Sequence, residues 1–233
     1  MADANFPELI DLRALRRSID SAFEWVVIQF GETLENAFLP VLKLLLAIEN
    51  VLIATPWFVV LAAISALAWL ASRSAKITAS VALMVFALGF FGLWDAAMAT
   101  LALMITATLL SILIGLPIGI AMSRSNLLQS IALPVLDIMQ TLPVFSYLVP
   151  ILLFFGFGPV AALIATVIYA MPPMARNTTL ALRRLPQSVE DLATMTGCTP
   201  RQRQWLVLLP AARQGLLTGL NQVIMLSLSA VII

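Results

Sequence analysis

The side chains that carry most enzyme chemistry are missing from this chain, and the polar ones that remain sit in a few places. There is no histidine and one cysteine, Cys198. That excludes histidine acid–base relays, a Ser-His-Asp triad, an intramolecular disulfide and ordinary zinc sites. Carboxylates do not cluster, so neither a catalytic nor a metal-ligating residue is assigned. What the chain offers instead is polar groups set in apolar sequence. Asp137, Gln140 and Thr141 stand together, and Asn221 and Gln222 form a second group near the end. Polar groups at membrane depth are expensive and usually face a bundle interior or a water-filled path. Asp137 and Gln140 lie one helical turn apart and share a face. With Tyr147 they form a candidate path for a zwitterionic or cationic solute; the alternative is interhelical hydrogen bonding worth about 1 kcal/mol or less each. Phe145, Tyr147, Phe154, Phe155, Phe157 and Tyr169 offer rings for cation–π attraction to a quaternary ammonium, or serve as interface anchors. Pro143, Pro150, Pro159, Pro172 and Pro173 interrupt or bound two consecutive apolar stretches, as helices lining transport paths or merely kinked helices do.

A different pattern occupies residues 176–213. Ser188 precedes an apolar-polar run with Asp191 three positions on, and Gly197 follows it, which predicts a short helix capped by the Ser188 hydroxyl and ended by a left-handed glycine. Thr199, Pro200 and Gln202 then supply a cap, a first helical residue and a capping-box partner for a second helix. Isolated helices this short do not hold in water, so they need something to pack against. Leu192, Ala193, Met195 and Trp205 provide apolar projections. An ordinary arginine-rich loop obeying the positive-inside rule is the plainer alternative.

The elements that must position these groups are membrane helices. Of 233 residues, 61% are hydrophobic and 11% charged, against roughly half and about a quarter in soluble domains. The formal charge of +1 argues against a nucleic-acid surface. A charge near the bilayer centre costs about 2.5–3.5 kcal/mol even on mild scales, so spans lie between charges. Residues 50–72, 77–94 and 96–123 are uncharged runs of 23, 18 and 28 positions. The 38-residue run 138–175 is too long for one crossing and divides at Gly156-Phe157-Gly158-Pro159, giving spans 138–155 and 159–175. A closing run, 214–233, ends without a flanking charge or cap, as expected if the native chain continues. Glu35, Lys43 and Glu49 argue against a crossing by residues 34–55. The expectation is an all-α polytopic bundle of about five spans, residues 50–233, preceded by an amphipathic, interfacial region, residues 1–49.

Arg73, Lys76, Arg124 and the arginines of 176–213 fall on alternate connections, which makes that side cytoplasmic. The first fifty residues carry eight acids and four bases, and the rest nine bases and four acids, so the two parts face different surroundings. Leu9, Leu12, Leu15, Ile19, Phe23, Val26 and Val27 recur at helical spacing in the first part. Acids precede its bases and no cleavage site follows, unlike a secretory signal.

Asp191-Leu192-Ala193, then Gly197, then Val207, Leu209 and Pro210 resemble the EAA loop of ABC-importer permeases, which runs EAA, three residues, Gly, nine residues, Ile, any residue, Leu-Pro. The spacing agrees at every position; Asp191, Leu192 and Val207 replace the usual Glu, Ala and Ile. "LDIMQTLPVFSYLVPILLFFGFGPV", "YAMPPMARNTTLAL" and "GLNQVIMLSLSAVII" are similar to permease subunits of the glycine betaine/proline-betaine osmolyte importers. The resemblance implies a type I importer permease in the bacterial cytoplasmic (inner) membrane, surrounded by lipid and paired with a second permease copy. It further implies cytoplasmic ATPase partners holding ATP and magnesium, and an extracytoplasmic substrate-binding protein. ATPase coupling then falls to Asp191, Leu192, Ala193 and Gly197, with Leu209 and Pro210 fixing the chain's return to the membrane. No Gly-x-x-x-x-Gly-Lys-Ser/Thr loop occurs, so the chain has no P-loop for ATP and needs no cofactor of its own. Glycine betaine, choline, carnitine and trimethylamine N-oxide all fit as solutes; an ion-coupled secondary transporter is the rival reading.

Overall fold

The computed structural model describes residues 37–231 together with Ser21 and Gln29; the amphipathic helix expected before residue 30 falls mostly outside them. α1 (Ala37–Ala54) is long and apolar enough to cross a membrane, which corrects the reading of residues 34–55. Lys43 does not forbid this because it sits on an exposed face and its long stem can carry the ammonium to the interface. The helix is held by Leu45, which is buried with Ala102, Ala107 and Leu163.

The expected span 50–72 does not exist as one helix. Pro56 biases Thr55 away from helical geometry, so α1 ends at Ala54 and α2 (Trp57–Ser72) begins afresh. Arg73 turns the chain in the left-handed region at φ 50°, and α3 (Ala75–Phe90) returns against α2. Each helix has 16 residues, or about 24 Å at 1.5 Å per residue, short of a core about 30 Å thick. Val60 is the one buried residue of the pair.

The centre of the molecule is three helices, α4 (Trp94–Arg124), α7 (Pro159–Arg183) and α11 (Arg213–Val231), which contact one another extensively. α4 runs through Pro117 without a break. Its Gly119 lets the backbones of α4 and α7 approach so closely that an added Cβ would stand 2.6 Å from the Ala175 carbonyl oxygen and 2.6 Å from Thr178 Cβ. Close approach over small residues is the usual way membrane helices gain packing energy without a hydrophobic driving force. α7 extends eight residues beyond the expected span 159–175, with Pro172 and Pro173 buried inside it, so Arg176 belongs to a helix and not to the loop.

The expected span 138–155 is also redrawn. α5 (Asn126–Thr141) and α6 (Val144–Phe155) meet at a bend of 92° across Leu142-Pro143. Pro143 lacks the N–H that a continuous helix needs and Leu142 before it is extended. Asp137 therefore lies near the end of α5, not at the start of a span.

Candidate functional site: a capped helical element and a polar cleft

Between α7 and α11 the chain forms α8 (Gln187–Met195), α9 (Pro200–Gln202), a π-helical turn (Arg203–Leu208) and α10 (Leu209–Ala211). α8 starts one residue before Ser188. Pro186 occupies the capping position in an extended conformation without a side-chain cap, so the expected Ser188 cap is absent and Asp191 lies mid-helix. There Asp191 accepts from Gln187 Nε2 at 3.3 Å. Glu190 takes the first-turn acid position and pairs with Arg203 at 2.7 Å.

The other end forms as its residues predict. Gly197 adopts φ +67°, its N–H bonds the Thr194 carbonyl at 3.1 Å, and the Cys198 N–H reaches back to the Ala193 carbonyl at 3.1 Å. This pair of bonds is a Schellman closure, which favours glycine because a Cβ clashes in the left-handed region. Thr199 and Gln202 complete a reciprocal capping box, with the Gln202 N–H on Thr199 Oγ1 at 3.4 Å and the Thr199 N–H on Gln202 Oε1 at 2.9 Å.

The apolar projections divide into two sets. Ala193 is 1% exposed, whereas Leu192 is 57% and Met195 86% exposed. Trp205 and Leu206 also stand in the open. Leu209 is buried with Leu182 and Ala212, and Pro210 beside it is exposed. One long-range contact anchors this region to the membrane helices, Arg124 on α4 donating through Nε and Nη2 to Gln204 Oε1 at 3.2 and 2.7 Å; beside it Arg183, at the end of α7, donates to the Met122 carbonyl of α4 at 2.9 Å and ties those two helices together. Gln204 and Arg124 carry no periodic or motif signal; their partnership spans 80 residues and is invisible without tertiary structure.

The polar groups in the membrane helices are brought together only in part. Asp137 pairs with Arg176 of α7. Asn177, the next residue, donates from Nδ2 to Gln222 Oε1 and to the Pro173 carbonyl, both at 2.8 Å. Gln140, Arg176, Asn177 and Gln222 line one cavity of about 410 Å³ between α5, α7 and α11. Arg176 and Asn177 were missed by the sequence reading because span counting assigned them to the loop. Thr141 is exposed and donates to the Ile138 carbonyl at 3.3 Å, and Asn221 is exposed outside the cavity. Tyr147, on α6, is half-buried, its hydroxyl finds no partner among the described residues, and it does not line the cavity either. Of the aromatics, Phe155 packs edge-on against Phe38 at 5.1 Å, and Phe145 and Phe157 are exposed.

Residues 108–233 match the family model described as binding-protein-dependent transport system inner membrane component. The chain is 37% identical over 215 residues to the glycine betaine/proline betaine transport system permease protein ProW of Escherichia coli (strain K12), covering 92% of this chain and 60% of that one. To the glycine betaine transport system permease protein OpuAB of Bacillus subtilis (strain 168) it is 35% identical over 216 residues, 92% of this chain and 76% of the relative. The trimethylamine N-oxide transport system permease protein TmoV of Ruegeria pomeroyi is 44% identical over 142 residues, 61% of this chain and 22% of its own length. The chain thus spans three-fifths of the first relative and less of some others.

Proposed function

Because the chain belongs to the family of binding-protein-dependent transport system inner membrane components, we propose that it is the transmembrane subunit of an ATP-binding-cassette importer for a betaine-type quaternary ammonium or related osmolyte. Its working partners are a cytoplasmic ATPase that holds ATP and magnesium, a second permease copy, and an extracytoplasmic substrate-binding protein. The observation that carries the reading is the element Gln187–Ala211. It is anchored inward by Ala193, Gln204 and Leu209, yet presents Leu192 and Met195 outward. A soluble face has no reason to expose two large apolar side chains on one short helix unless another surface covers them. In this reading the ATPase dimer closes on ATP and swings the helix bearing Asp191, Leu192 and Ala193. Gly197 fixes the turn, and Leu209 and Pro210 set the re-entry of the chain, so that the motion reaches α4 and α7 as a rigid-body rearrangement.

The solute path runs along the cleft of Gln140 and Gln222, with Asp137 held at its side by Arg176; Asn221, Thr141 and Tyr147 contribute only if the bundle rearranges or the second copy completes the surface. Glycine betaine, choline, carnitine and trimethylamine N-oxide share a compact cationic or dipolar head and are all candidates. The ion-coupled alternative lacks support: the chain belongs to a binding-protein-dependent family, and Asp137 is engaged by an arginine.

Reconstitution tests this. Proteoliposomes holding the permease, its ATPase and its binding protein should accumulate labelled glycine betaine only when ATP is supplied to the ATPase. Uptake that persists on an ion gradient with the ATPase left out would sink the reading.

A further inference from the structure

The cytoplasmic element does not lie flush against the membrane helices. Between the inner ends of α4 and α7 on one side, and α8 and the π-helical turn on the other, lies a cleft of about 720 Å³. Its lining includes Arg124, Arg183 and Arg203, with Glu190 as the one carboxylate among the described residues, so three guanidiniums line it beside one negative charge. A guanidinium has five N–H donors in a rigid fork. Arg124 uses two on Gln204, Arg183 one on the Met122 carbonyl, and Arg203 one on Glu190. Gln204 also lines the cleft; it is 5% exposed, and its Nε2 is buried with no acceptor among the described residues. A buried amide donor left unpaired is costly, and native structures rarely leave one so. The positive-inside rule explains why arginines collect on this side. It does not explain why they converge on a cleft that also holds an unsatisfied buried donor.

From this convergence we infer that the cleft binds a phosphate-type oxyanion, whose oxygens accept from the free guanidinium donors of Arg124, Arg183 and Arg203 and from Gln204 Nε2. Arginine forks match phosphate geometry in a bidentate manner, and neutralising three cations drawn from α4, α7 and the loop would fasten those elements to each other. Two sources carry this chemistry, the headgroup of an anionic lipid, reachable where α4 and α7 meet the cytoplasmic boundary, and a soluble phosphate. The inference concerns regulation of the cytoplasmic element and is independent of which solute is carried.

The test uses the full chain in phosphatidylcholine nanodiscs, once doped with phosphatidylglycerol and read by native mass spectrometry for retained lipid, and once titrated with labelled inorganic phosphate. R203Q should weaken binding about tenfold, the loss expected for one charge-assisted hydrogen-bonding group. R213Q, basic and outside the cleft, should leave it unchanged. E190Q should tighten binding by removing the competing carboxylate, a gain that misfolding cannot imitate. Retention of phosphatidylglycerol alone identifies a lipid headgroup, and binding of inorganic phosphate identifies a soluble anion; either supports the site. Absence of binding in both arms, equal losses in R203Q and R213Q, or no gain in E190Q overturns it.

Discussion

The helical element Gln187–Ala211 and the polar cleft between α5, α7 and α11 both place polar residues in an apolar chain, but they are organised by different means. In the element, neighbours satisfy neighbours: Thr199 with Gln202, Gln187 with Asp191, and Gly197 with Thr194. In the cleft the bonds between side chains are long-range, Asp137 with Arg176 across 39 residues and Asn177 with Gln222 across 45. Local bonds let the element move as a unit without losing its shape. Long-range bonds in the cleft must break or shift when helices rearrange, which suits a path that opens and closes.

That contrast can be broken at single residues. One effect is expected from Arg176→Ala, which strips Asp137 of its partner; because both side chains of the pair are partly exposed, it should lower stability in detergent by about 1 kcal/mol, read as a drop in melting temperature. The double variant R176A/D137A should recover much of it, and additive losses would mean that the pair is not coupled. Next, Gly197→Val forces a β-branched residue into the left-handed region at a local cost of about 1–2 kcal/mol. It should leave the membrane helices inserted and ATP hydrolysis running while uptake falls; unchanged uptake would remove Gly197 from the coupling assignment. Thr199→Ala removes the cap and should cost about 1 kcal/mol, seen as faster amide exchange confined to residues 199–211. Exchange rising equally in α11 would show that the element is not a separate unit. The smallest effect is expected at Gln222→Leu, which deletes an interhelical hydrogen bond worth roughly 0.6 kcal/mol. Uptake should change more than melting temperature, and the reverse would make Gln222 a structural brace.

Much of the element was legible because its signals are short-range. Gly197, Thr199, Pro200 and Gln202 announce a turn and a cap from spacing alone, and the structure forms both. The Ser188 cap failed for an equally local reason: Pro186, two residues earlier, already supplies the extended residue at which a helix can begin. The spans were less legible. Counting uncharged runs found the right composition but joined residues 50–54 to 57–72 across Pro56, and it took 138–155 as one helix across Pro143. A proline weighs little in a hydropathy count, yet it withdraws an N–H and displaces its neighbour from helical geometry.

The sequence by itself determined that this chain is a helical membrane protein, which connections are basic, and where the element before α11 turns, because hydrophobicity, charge and capping act through each residue's immediate surroundings. Only the tertiary structure decided that Arg176 answers Asp137, that Arg124 grips Gln204, and that Gly119 lets α4 and α7 touch. Those contacts join residues far apart in the chain, and their energy exists only once helices have packed at a particular rotation and depth.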